Sequence, residues 1–151
     1  VISTLLWAGT DLRNIAGVHV GDLATALYAP MTRRGNDEVI PGRDGALGAP
    51  LPFDSYQFTV PVLVVGNTEA DLHGALLGLG AVLRTTGGLG LLTRRLVSND
   101  PGGLTDYTAQ GRFAGLSGFT RDDTGRQLAA DLLFTNLSGG WQRADGVWVW
   151  P

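Results

Sequence analysis

The 151-residue chain contains no cysteine and no lysine. The first absence excludes disulfides, thiolate metal ligands and cysteine nucleophiles. The second excludes a phosphate loop, which needs a lysine to reach the phosphates. Charge is also scarce. Only 17% of residues are charged and the formal net charge is −3, so no general attraction to nucleic acid or anionic membrane is expected. No apolar run approaches the roughly 18 residues a membrane-spanning helix requires. No basic segment precedes an apolar stretch at the N-terminus, so a signal peptide is not expected. With hydrophobic residues at 44%, the low charge density suits a surface covered by partners.

What the chain does have is glycine, 23 residues of it, about twice the usual share. The glycines are dispersed and form no repeat, which predicts many short elements joined by tight turns. Ile2 to Trp7 and Val18-His19-Val20 read as strands. Residues 28–44 read as a long loop with Arg33, Arg34, Asp37 and Glu38, running into the turn Pro41-Gly42-Arg43-Asp44-Gly45. A loop of that length in a compact domain is usually functional or poorly ordered.

Apolar residues then alternate at Tyr56, Phe58, Val60, Val62 and Val64, the period of a strand with one buried face. Pro61 lacks a backbone N–H, so this strand is expected at an edge or bulged there. A helix over 67–85 follows. Thr68 is its N-cap, with Asp71 three residues on, and Leu72, Leu76, Leu79 and Leu83 make its apolar stripe. Gly87-Gly88 ends it. Further strands are predicted at 89–97, 107–113, 127–134 and 147–150, with 107–119 and 127–136 paired across an Asp122-Asp123-Thr124-Gly125 turn. The expected fold is mainly β with one α-helix, a β-sandwich or split barrel with the helix over one opening.

The search for chemistry is largely negative. His19 and His73 lie on separate elements, without the clustered ligands a metal needs. Asp122-Asp123 reads as a solvated turn. Gly78 and Gly80 lie inside the helix, where they suit close packing on a sheet but cannot form a dinucleotide turn. Asn136-Leu137-Ser138 matches a glycosylation sequon only by chance. The arginine pairs Arg33-Arg34 and Arg94-Arg95 suit a solvated surface or ion pairs between subunits. Arg43, held in a glycine turn, presents a rigid fork of donors that could pin the loop to its own domain or to a neighbour. Trp7, Trp141, Trp148 and Trp150 suit core or interface packing, with a sugar platform at Trp148 and Trp150 as the competing use. No catalytic site, cofactor or metal is expected.

Several stretches resemble tail components of siphophages that infect actinobacteria. They are Ser3-Thr4-Leu5-Leu6-Trp7, Arg33-Arg34-Gly35, the Pro41 to Gly45 turn and Ala49-Pro50-Leu51-Pro52-Phe53-Asp54. Others are Gly66-Asn67-Thr68-Glu69-Ala70 with its leucine-rich helix, and the closing Phe134-x-Asn136-Leu137-Ser138-Gly139-Gly140-Trp141. The pattern is most similar to the N-terminal ring-forming domain of distal tail proteins. That resemblance implies a non-enzymatic virion protein, related in fold to tail tube subunits, forming a hexameric ring at the end of the tube. The implied partners are other copies, tube and tip proteins, and DNA only in passage; no membrane partner is implied. It implies a location in the virion tail after assembly in the host cytoplasm. The expected organisation is one ring-forming domain over 1–151, with Arg33, Arg34, Asp37, Glu38 and Arg43 at a subunit interface. The length leaves no room for the carbohydrate-binding or adaptor domain that many distal tail proteins carry. The major tail tube subunit is the nearest alternative, and a small carbohydrate-binding β-sandwich is the alternative from another class.

Overall fold

Period-two alternation, a single capped helix and one strand shared between two ladders decide the architecture. The computed structural model describes residues 2–21, 23, 41–42, 54–84, 87–97 and 104–149. These form β1 (Ile2–Trp7), β2 (Thr10–Asp11), a short 3-10 turn (Leu12–Asn14), β3 (Val18–Val20), β4 (Tyr56–Val65) and α1 (Glu69–Arg84). They continue with β5 (Leu89–Val97), β6 (Leu104–Arg121), β7 (Gln127–Asn136), β8 (Trp141–Arg143) and β9 (Trp148–Val149). All strands belong to one antiparallel sheet in the order β2-β1-β5-β6-β7-β4-β3, with β8 on β6 and β9 on β8. The fold is mainly β with one α-helix among the described residues, and the sheet curls into a half-barrel.

β6 joins the two halves of the sheet. Up to Arg112 it pairs with β5, and from Gly111 onward it pairs with β7. Gly111 and Arg112 thus belong to both ladders. Gly111 has no side chain because Leu92 lies over it; an added Cβ would collide with the Leu92 side chain. The sequence pattern locates the β6–β7 hairpin but misses the length of β6, whose glycines and polar residues dilute the alternation.

The inner face of the sheet is the core. Phe58, Val60, Val62 and Val64 of β4 face inward beside Ala130, Leu132 and Phe134 of β7. Phe134 sits at its centre, its ring 5.3 Å from Trp7, 5.8 Å from Phe58 and 5.6 Å from Phe113. At one end of the core the Tyr56 hydroxyl accepts hydrogen bonds from Trp141 Nε1 (2.8 Å) and Asn136 Nδ2 (3.2 Å). Asn136 also donates to the Gly140 carbonyl at 3.1 Å. The sequon asparagine is therefore a wholly buried core residue.

α1 is capped as its sequence predicts: Thr68 Oγ1 accepts from the Asp71 N–H at 3.1 Å. Leu72, Leu79 and Leu83 are buried in the core, with Leu76, Ala75 and Val82 packed half-buried against it. The strand-to-helix corner is tight, and any side chain at Gly66 would strike the backbone of Asp71 and Leu72. The helix glycines depart from expectation. An added Cβ at Gly80 would meet nothing, and one at Gly78 only Ile15 at 3.6 Å, so neither is required by close packing on the sheet.

Candidate subunit interface

The loop residues Arg33, Arg34, Asp37, Glu38 and Arg43 lie outside the described residues, as do all of 24–40 and 43–53. Of the turn that leads out of this loop, Pro41 and Gly42 are described. They form an exposed turn with Gly42 at φ +79°, the left-handed region that glycine enters without strain.

Among the described residues, two stretches inside the sheet order lack a second strand neighbour, in addition to the outer sides of β2, of β3 and of residues 2–5 of β1. The first involves β4, whose inner neighbour is β7 along its whole length. On its other side β3 covers only Val62 to Val64. Two further hydrogen bonds flank this pairing, from the Val65 N–H to the Gly17 carbonyl and from the Gly21 N–H to the Pro61 carbonyl, both at 2.8 Å. Pro61 has no N–H to return the second bond, so the ladder stops there. Beyond it, toward Tyr56, β4 has no outer strand partner among the described residues. The expectation of an edge or a bulge at Pro61 is thus half met: β4 lies inside the sheet order, and the proline marks where its outer neighbour ends.

The second edge is the later half of β6. Residues 114–121 pair with β7 on one side and with no described strand on the other. Two register shifts, at Phe113/Gly115 and Ser117/Thr120, break the stretch. Such bulges are a common way to keep an edge from unspecific pairing. The sequence from Ala114 to Thr120 carries no charge. It exposes two large apolar side chains, Leu116 at 41% and Phe119 at 58%.

Beside β3, a groove of about 650 Å³ opens between the 15–17 turn and the first turns of α1. Ile15, Gly17, Val65, Gly66, Gly74 and Gly78 line it, with His19 and Asp71 also in its wall. Gly17 is at φ +78°, and a side chain there would collide with the Val65 carbonyl and Ala75. The lining glycines keep the groove open.

Other candidates from the sequence resolve into structural roles. Arg94 and Arg95 do not form a solvated surface pair. Consecutive strand residues point to opposite faces, so Arg94 is buried with its guanidinium 5.9 Å from the Tyr107 ring centre. Arg95 grips Asp106 of the paired strand with two hydrogen bonds, at 2.8 and 3.1 Å. That grip holds the Asp106 carboxyl below the ordinary carboxylate range. Asp122 organises the β6–β7 turn. It accepts from the Thr124 hydroxyl and from the Arg126 and Gln127 N–H groups. The Thr124 hydroxyl foremost holds its carboxyl below the usual range. His19 and His73 are exposed on β3 and α1, and among the described residues no three ligating side chains cluster. Trp7 and Trp141 are core residues, Trp148 is 58% exposed on β9, and Trp150 lies outside the described residues.

No family model and no curated protein matches the sequence. Among solved structures the chain is similar to SPP1 Dit (gp 19.1), described as a paradigm of the hub adsorption apparatus in phages that infect Gram-positive bacteria. The TM-score is 0.53 at 21% identity, over 95% of this chain and 53% of Dit. The chain therefore spans about half the length of that protein. A likeness at this identity concerns the fold alone, which this chain shares with about half of that protein.

Proposed function

We propose that this chain is a structural subunit that forms a ring at the distal end of a phage tail tube and joins the tube to the tail tip. One observation carries the reading: on a fold like that of a tail hub protein, the sheet has unlike unpaired edges among its described residues, the later half of β6 on one side and the β4–β3 side on the other. Unlike edges pair head to tail, and a head-to-tail contact closes into a ring when its rotation allows. The partners are then other copies of the chain and the adjoining tube and tip proteins, in the tail of the virion. The ring is six-membered in the reading taken from actinobacterial siphophages, and the subunit has no catalytic site. Residues 28–44, with Arg33, Arg34, Asp37, Glu38 and Arg43 at or beside them, reach the adjacent copy.

The sheet face turned away from the core fits a channel that DNA passes through. On β4 and β7 it carries Gln57, Thr59, Leu63, Leu133, Thr135 and Asp131. These are neutral apart from one carboxylate; the same face adds Arg112 on β6 beside Thr135, and Arg95 on β5 paired with Asp106. A basic lumen would retain the phosphate backbone. A cryo-EM map of the intact tail tests the proposal. Six copies in one ring below the tube, with this face toward the lumen, is the expected result. A repeated ring along the whole tube would assign the chain as the major tube subunit instead. A decorating monomer outside the tube, or an arginine-lined lumen, would refute the reading. Sugar binding by a stable monomer, lost on Trp148→Ala, would favour the carbohydrate-binding alternative.

A further inference from the structure

The ring reading leaves open what locks adjacent copies in register. An open strand edge fixes direction but tolerates slippage by whole residue pairs. We infer that Phe119 of one copy inserts into the groove between β3 and α1 of the next. This inference rests on the ring reading and supplies its specificity contact.

Three observations converge on it. First, knob and hole lie on the two outer sides of the β6-β7-β4-β3 part of the sheet, where residues 114–121 of β6 have no described neighbour but β7. The groove borders β3, the strand at one end, and Phe119 lies on the unpaired half of β6, three strands away. A head-to-tail contact brings those two edges together. Second, they share a height along the strands. His19 pairs with Leu63, Leu63 with Ala129 and Ala129 with Thr120. The residue beside Phe119 is thus level with the groove residue His19, and copies placed side by side without slip set the phenyl ring at the groove. Third, the surfaces match in chemistry. The knob segment from Ala114 to Thr120 is uncharged, and the groove is lined mainly by glycine and aliphatic side chains. Phe119 occupies a bulge, with Gly118 at φ +64°, a geometry that re-aims side chains away from a regular ladder. A large exposed aromatic on an edge is an aggregation hazard in a monomer, and a fitted hole in the next copy removes it.

The helix glycines provide the test. An added Cβ at Gly74, which lines the groove, meets nothing within 4 Å, so Gly74→Leu is expected to fill the groove, and its melting temperature reports whether the subunit itself is disturbed. Helix propensity favours the change, and the variant should keep or raise its melting temperature. Assembly, followed by mass in solution and by incorporation into tails, should weaken by about tenfold or more in Gly74→Leu and in Phe119→Ala, the scale set by burying one phenyl ring. Because the chain has no cysteine, introduced thiols report cleanly. The double variant Phe119→Cys, Gly74→Cys with a short bismaleimide should give a covalent ladder ending at the ring, and each single variant should not. If wild type assembles while Gly74→Leu and Phe119→Ala assemble equally well and no ladder forms, the knob-in-groove contact is wrong and the ring stands. If wild type is monomeric in solution and no ring of it occurs in tails, both fall.

Discussion

Replacing Tyr56 by phenylalanine removes one oxygen atom and isolates the hydrogen-bond latch that ties β4 to the closing segment. The ring stays, and with it the apolar contact to Phe58 at 6.3 Å. Two donors lose their acceptor. Trp141 Nε1 loses a 2.8 Å bond, and Trp141 is 1% exposed, so water cannot replace it. A buried donor left unpaired costs about 1–3 kcal/mol. Asn136 retains the Gly140 carbonyl through the same amide nitrogen, so its loss adds little. Against this, the mutant no longer buries a hydroxyl, and Tyr56 is only half-buried, so the relief is small. The net expectation is a loss of about 1–3 kcal/mol, or roughly 3–10 °C in melting temperature for a chain of this size. Thermal and denaturant unfolding followed by circular dichroism would measure it. Burial also pushes the Tyr56 phenol above its ordinary pKa, outweighing its hydrogen bonds and the Arg94 charge. A raised folded-state pKa means stability present below the ordinary phenol pKa and lost as pH rises through the folded value. The mutant should therefore lose less stability than wild type in alkali. A mutant within about 0.5 kcal/mol of wild type, below the cost of one unpaired buried donor, would show that Trp141 finds another acceptor and would refute the latch.

Leu79→Ala should cost about 2–5 kcal/mol in chemical denaturation, because Leu79 is buried in the core, and Leu76→Ala should cost less, because Leu76 is half-buried; equal costs would mean the helix stripe is seated differently. Gly66→Ala should abolish soluble folded protein or lower its melting temperature steeply, since the new Cβ strikes helix backbone that cannot rotate away; near-native stability would refute the tight corner. Asp122 has a depressed folded-state pKa from the Thr124 hydroxyl and backbone N–H groups, so its contribution is present above the ordinary aspartate range and lost as pH falls through the folded value. Asp122→Asn should thus lower stability at neutral pH, change it little in acid and so flatten the fall of stability as pH drops, and an unchanged acid profile would contradict this.

Much of the fold is legible where local periodicity and tertiary placement agree. β4 and β7 alternate cleanly because one face of each packs on the same core. The helix is legible from its Thr68 cap and leucine spacing, both of which act within a turn or two of chain. The short strands β2 and β8 are not: two or three residues carry no period, and pairing with a distant strand alone defines them. The arginine pair at 94–95 misleads for a related reason. Composition marks it as surface, while the strand pleat turns one guanidinium inward and leaves the other to a partner on β6.

By itself, the sequence determined which chemistries its missing residue types exclude, disulfides and cysteine nucleophiles among them, and which local elements it builds. The absence of cysteine and lysine, the two isolated histidines, the glycine-rich turns and the capped helix are properties of composition and short-range spacing. Only the tertiary structure decided which described strands meet. That β6 divides between two ladders at Gly111, that β3 pairs with Val62 to Val64 of β4, and that the 15–17 turn faces α1 across a groove all depend on residues far apart in the chain meeting in space. Hydrogen bonds within an element follow from neighbouring residues, but a ladder is defined by the distant strand that arrives, and no local pattern records that.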